Sequence, residues 1–273
     1  MNIKTCPLWQ WILVLIGLFV LGTIGYGLWS LGSELLHSPL MDVVLALVLL
    51  AAYTLLEALI EKEKAPDVLN KRAVPDLLLG LAIGLVFFVL IVGIMLLAGC
   101  GSIEKLGFDA KAQLSAFCMF FGVAVGEEVL FRGVVYKWID KRWGMTVALI
   151  VSALIFGAIH IGNDNATWWS ALAIAIEAGL LLGAAYKYFG TLWLPIGIHW
   201  AWNYTQGNIF GFAVSGNDAG NTLFKMHPQG ADILTGGAFG AEASIISILL
   251  GAALAALFVF LHIRKSRRQG CHS

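Results

Sequence analysis

Long apolar runs separated by short polar breaks make up most of the chain. A hydrocarbon layer about 30 Å thick takes roughly 20 mostly apolar residues of helix. Eight segments fit that length, some only marginally: 9–31, 40–60, 76–98, 115–136, 145–162, 168–186, 191–212 and 244–262. The predicted fold class is all-α, a polytopic membrane protein of about eight transmembrane helices. Residues 1–273 read as a single helical membrane domain, with a motif-bearing core at about 115–208. The first run is long, and no clear small-residue cleavage site follows it, so it reads as a span rather than a removed signal. No internal repeat is visible, which counts against the inverted symmetry of many secondary transporters.

Composition agrees with this pattern. Hydrophobic residues make up 59% and charged ones 12%, and the mean hydropathy is +0.85, a balance unsuited to a water-facing surface. Seventeen basic residues cancel seventeen acidic ones, so net charge implies no nucleic-acid partner. Their placement is more informative. Lys4, Lys62, Lys64, Lys71, Arg72, Lys137, Lys141, Arg142, Lys187, Arg264, Lys265, Arg267 and Arg268 all fall on one side of the predicted spans, and only Lys105, Lys111 and Lys225 on the other. By the positive-inside rule both termini are predicted cytoplasmic. The long Gly- and Asn-rich stretch 213–243 then lies outside, as a surface loop or a partly re-entrant one. Cys6, Cys100, Cys118 and Cys271 are scattered, which predicts neither a disulfide framework nor a cysteine metal site. LAGC at Leu97–Cys100 resembles a lipoprotein box but sits too far from the N-terminus to be one.

The stretch GEEVLFRGVVYKW, Gly126–Trp138, sets two glutamates and an arginine at the end of the apolar run MFFGVAVG. An ionisable group at a span centre costs about 2.5–3.5 kcal/mol on insertion scales, so such groups usually face the bundle interior and mark a functional path. They gather here in three segments: Glu127, Glu128 and Arg132 in the fourth span, His160 closing FGAIH in the fifth, and His199 with Asn203 in LPIGIHWAWN of the seventh. Glu128 and Arg132, at i and i+4, share a helix face and can neutralise each other. Glu127 points about 100° away and lacks a cation on its own helix. An unpaired buried carboxylate suits a general base. His199 and Asn203, also i and i+4, aim two donors at one point, where they could stabilise an oxyanion.

Any one of these residues could be merely a hydrogen-bonded structural group; the set points to chemistry. Glu177 in the sixth span is a candidate for lining the same cavity, and Glu57, near the cytoplasmic edge, is expected to snorkel. Trp138, Trp143, Trp168, Trp169 and Trp193 are predicted interfacial anchors, and Trp200 and Trp202 packing residues. At about 1.5 Å per residue from the cytoplasmic ends, Glu127 and His199 are predicted roughly 12–20 Å deep and His160 deeper.

EEVLFR fits EExxxR, FGAIH fits FxxxH and HWAWN fits HxxxN, in that order. With every motif position filled across about Phe117–Asn208, the chain resembles the CAAX-protease and bacteriocin-processing (CPBP, Abi) family of intramembrane endopeptidases, related to the Ras-converting enzyme. The resemblance implies an eight-helix fold around a hydrated intramembrane cavity. It also implies hydrolysis of a membrane-embedded or lipid-modified protein or peptide. By the same resemblance Glu127 is the base, His160 its partner in activating water, His199 and Asn203 the oxyanion site, and Glu128 with Arg132 the support. Glu127, His160 and His199 could alternatively hold zinc with a water in the fourth position, the reason members are labelled metalloproteases. HExxH is absent, and an oxyanion-binding His199 cannot also be a ligand, so a metal-free glutamic mechanism is favoured. The competing classes are a catalytically silent membrane scaffold or immunity protein of the same fold, and a proton-coupled transporter using Glu127, Glu177 and the histidines as a relay.

Overall fold

The computed structural model describes residues 6–36, 38–60, 66–218 and 220–270; Lys4, Lys62, Lys64 and Cys271 fall outside them. The apolar runs form helices α1 (Leu8–Leu36), α2 (Pro39–Ile60), α3 (Ala73–Leu97), α4 (Ala110–Trp143), α5 (Met145–Gly162), α6 (Trp168–Phe189), α7 (Trp193–Tyr204) and α8 (Ile245–Gly270). Among the described residues seven of these are long and apolar enough to cross a membrane. The predicted eighth span, 191–212, is α7 continued by a π-helical turn, Thr205–Ile209. It is shorter than the others, and His199, Asn203, Gln206 and Asn208 interrupt its apolar character. All four are buried, so this helix runs through the bundle interior while α1–α3 turn exposed Leu, Ile and Val outward.

What holds α7 in the interior is contact between backbones. Gly80 and Gly84 of α3, one turn apart, face Gly197 and Ile198 of α7. A Cβ at Gly197 would lie 3.0 Å from the Gly80 Cα and 2.9 Å from the Leu81 nitrogen. Only hydrogen fits, so the helices approach as small-xxx-small pairs do in membranes. His199 follows two residues later on this anchored segment.

The two ends of the bundle differ in chemistry. One end holds most of the basic residues that the structure describes, with Lys105, Lys111 and Lys225 at the other. Lys137 pairs with Glu57 and, at 3.2 Å, with Asp67, whose Oδ2 also accepts from the Tyr53 and Tyr186 hydroxyls at 2.7 and 3.0 Å. Glu57 therefore does not snorkel: it is 5% exposed and paired across helices. Nor is Trp138 an interfacial anchor, being 1% exposed inside the same packed end. Trp143 and Trp168 are exposed as anchors should be. Lys187 pairs with Asp140 at 2.6 Å, and Arg72 with Asp76 at 2.9 Å. The opposite end is built from 98–109, 163–167 and 210–244. It includes an element the hydrophobic pattern did not indicate, an antiparallel pair of strands, β1 (Gly101–Lys105) and β2 (Phe224–Pro228), with Gly101 opposite Pro228.

Candidate active site

α4 is regular as far as Glu128 and then becomes π-helical over Val129–Tyr136. Such segments often occur at functional sites. The intrahelical pair forms across this transition: Arg132 Nη1 donates to Glu128 Oε1 at 2.8 Å, with Glu128 wholly buried. Arg132 has further partners. Its Nη2 reaches the Ala178 and Gly179 carbonyls of α6 at 3.1 and 3.3 Å, and its guanidinium lies 4.6 Å from the centroid of the Phe156 ring.

Glu128 Oε1 also meets His199 Nδ1 at 2.9 Å. An ionised carboxylate only accepts, so Nδ1 carries the proton and Nε2 faces the other way, where Glu127 Oε2 lies 3.9 Å off. The two glutamates, on different faces of α4, thus meet opposite nitrogens of one imidazole. Helical spacing separated their directions correctly; that they share a histidine required knowing where α7 lies. Glu127 Oε2 accepts no hydrogen bond from any described residue. Tyr26 of α1 lines the same cavity as Glu127, its ring lying against α4 at Gly126. This approach depends on Gly126, whose missing Cβ leaves room for the Tyr26 ring against α4.

His160 ends the α-helical part of α5. Its Nδ1 donates to the Phe156 carbonyl at 2.7 Å, one turn back, and its ring packs 4.9 Å from that of Phe156. Since a carbonyl only accepts, the remaining nitrogen, Nε2, is the one with a free lone pair. Phe156 also packs edge-on against Phe131 and His199. The aromatic position of FGAIH thereby joins the arginine and both histidines, a role that the sequence pattern alone did not reveal. Asn203 is buried and makes no side-chain hydrogen bond to any described residue.

Glu127, His160, His199 and Asn203 line one cavity of about 470 Å³, together with Tyr26, Met119, Phe120, Val123, Ile159, Asn163 and the loop residues Val214, Ser215, Asn217 and Asp218. The structure therefore brings together all four residues assigned to chemistry. Glu127 and His160 form no ion-pair contact within 4.0 Å, so they face the cavity without touching. Among the described residues, no three His, Cys, Asp or Glu side chains converge as a metal-holding group. The Glu127, His160, His199 set does not fit a three-ligand zinc in this geometry.

Glu177 stands behind this wall rather than in the cavity. It borders a separate void of about 20 Å³, shared with Glu242, His160, His199, Asn203 and Ser215, room for about one water. Glu177 Oε2 accepts from the Ser247 hydroxyl at 3.3 Å. Glu242 accepts the Ser215 backbone N–H and a bond from the Gln206 amide, which itself donates to the Ala213 carbonyl at 2.6 Å. Burial pushes the Glu242 carboxyl up to about 7, against the opposing pull of those donors and of His199. Glu242 fastens to the bundle the loop that closes the cavity, with Ser215 held at φ +48°. Sequence reasoning missed it. The available signal was an acid within a stretch, TGGAFGAEAS, that is otherwise without charge.

Comparison with known proteins adds one finding. Residues 110–205 match the model of the type II CAAX prenyl endopeptidase Rce1-like family. No curated protein and no solved structure matches the chain. The matched segment runs from the start of α4 to the end of α7 and contains EEVLFR, FGAIH and HWAWN with the side chains that meet at the cavity. Those three motifs lie within the match, so residues 110–205 are similar to the Rce1-like family of type II CAAX prenyl endopeptidases.

Proposed function

We propose that this protein is an intramembrane endopeptidase in which Glu127 is the general base. The observation that carries this reading is a glutamate that lines one cavity with two histidines and an unbonded carboxamide, its buried Oε2 having no hydrogen-bond donor among the described residues. Glu127 takes a proton from a water held between it and His160 Nε2. The water oxygen bonds to the scissile carbonyl carbon. The carbon–nitrogen bond then breaks as Glu127 returns that proton to the departing amine. The negative charge that builds on the carbonyl oxygen is met by His199 and the Asn203 amide.

With its Nδ1–H given to Glu128, His199 can donate from Nε2 only as the doubly protonated ring. Charge balance supports that state. Glu127 and Glu128 against Arg132 and an imidazolium leave no net charge in a low-dielectric interior. A His199 used in this way is unavailable as a metal ligand, and the mechanism is metal-free. The substrate class is a membrane-embedded or lipid-modified polypeptide. Both termini are cytoplasmic, a reading supported by the clustering of basic residues at one end of the bundle.

The test compares peptides released from membranes of cells that make the wild-type protein with those from cells making Glu127→Gln. The amide keeps the shape of the side chain and removes the base. Products present with wild type and missing with the variant are expected. An unchanged product set, with Glu127→Gln retaining its biological effect, would instead indicate a silent scaffold.

A further inference from the structure

The cavity is lined by loop residues from the end of the bundle that carries β1 and β2, opposite the end of Lys137, Arg142 and Lys187. Asn217 and Asp218 at the mouth are exposed. A second depression of about 770 Å³ adjoins it, sharing Asp218 and lined by Asp109, Asn221 and Lys225 from the same end. At the other end Arg142 donates to the Cys6 carbonyl at 3.2 Å, Lys265 lies 5.7 Å from the Tyr188 ring centroid, and Lys187 holds Asp140. Between those residues and the site Phe131, Tyr136, Trp138, Leu181 and Leu182 are among the most buried side chains, and the pocket at that end, about 280 Å³ between α1, α2 and α4, is lined by Trp138 and Glu57 and by none of the four site residues. His160, at the far end of α5 from Met145, also stands on the mouth side.

Resting on the endopeptidase reading, we propose that the site takes its substrate from the extracytoplasmic face: a membrane-anchored polypeptide whose cleaved bond lies at or just within that boundary. The positive-inside rule places the basic end in the cytoplasm and the mouth opposite. The lining fits such a substrate. Met119 and Ile159 offer apolar surface on the bilayer side, Ile159 being 46% exposed. Asn163, Ser215, Asn217 and Asp218 present amide, hydroxyl and carboxylate groups toward water. A chain leaving its lipid anchor would meet both.

Two measurements on the full-length protein test this. In a background with Cys6, Cys100, Cys118 and Cys271 changed to Ser, a membrane-impermeant maleimide should label Glu104→Cys, on exposed β1, in intact cells. It should label Arg267→Cys only after permeabilisation. In sealed vesicles given a water-soluble mixed-sequence peptide library, right-side-out preparations should hydrolyse it and inside-out ones should not, with Glu127→Gln as the blank. Reversed labelling, or hydrolysis confined to inside-out vesicles, overturns the proposal. Labelling as expected with hydrolysis from neither side would overturn the endopeptidase reading and its substrate together, while fixing the face on which the cavity opens.

Discussion

Two groups of buried charges occupy this bundle, and they are organised in opposite ways. Around Lys137, the carboxylates of Glu57 and Asp67 and the hydroxyls of Tyr53 and Tyr186 point at one another. Around Arg132, Glu128 and one nitrogen of His199 are paired in the same manner, but the pairing stops there. Glu127, His160, His199 and Asn203 line a cavity, with Glu127 Oε2 lacking a hydrogen-bond donor among the described residues. Burying polar groups in a membrane is costly in both places. The first group recovers most of that cost through its internal contacts, Asp67 Oδ1 being left without a partner among the described residues. The second adds what the first lacks, a cavity of about 470 Å³ lined by Glu127, both histidines and Asn203, where a substrate would supply partners.

That contrast can be broken by substitution, and the largest effect should come at Glu127. Purified Glu127→Gln should show no peptide hydrolysis at an unchanged melting temperature, since Oε2 has no hydrogen bond from a described residue to lose. Near-wild-type turnover would remove Glu127 from the mechanism. Next in size, His199→Gln and Asn203→Ala should each lower turnover by about 10²–10³, as loss of one oxyanion donor does, read as kcat on a quenched peptide.

The structure changes what Glu128→Gln should do. Sequence spacing alone would make it a folding lesion, because breaking one side of a buried pair costs about 3–5 kcal/mol. Arg132, however, keeps two carbonyls and the Phe156 ring, and Glu128 also orients His199. The variant should lose less stability than that range and lose turnover as well. Lys137→Met gives the reverse outcome, a lower melting temperature in detergent with normal turnover from whatever remains folded. A turnover defect in Lys137→Met at full stability would erase the distinction between the two groups.

The smallest effect concerns Glu242. Its carboxyl is raised from the ordinary 4.5 to about 7, so folding favours the protonated form. The associated stability is fully present below pH 4.5 and is lost as pH rises toward 7. The melting temperature should therefore fall across that window in the wild type and fall less in Glu242→Gln. Identical slopes would mean that Glu242 does not titrate there.

Much of this was legible in the sequence, and the limits have physical reasons. Span positions follow from hydropathy, and the opposed directions of Glu127 and Glu128 follow from 3.6 residues per turn. Both are local properties. Partnerships between helices are not. The Glu57–Lys137 pair, the joining role of Phe156 and the contact of both glutamates with His199 depend on how helices distant in sequence pack. Gly80 and Gly197 in turn show how close that packing is. Glu242 escaped notice because it lies outside every span, in a loop whose folding back over the cavity no periodicity records. The strand pair β1–β2 was hidden for the same reason, being two short segments far apart in sequence.

The central claim, a water activated by Glu127 without metal, is tested most directly by measuring turnover and bound metal together on exhaustively chelated protein in bilayers. The account predicts full turnover with no stoichiometric metal, and the loss of that turnover in Glu127→Gln. Zinc at one equivalent in active protein, removed together with activity by the chelator or by His199→Gln and restoring activity when added back, would contradict it.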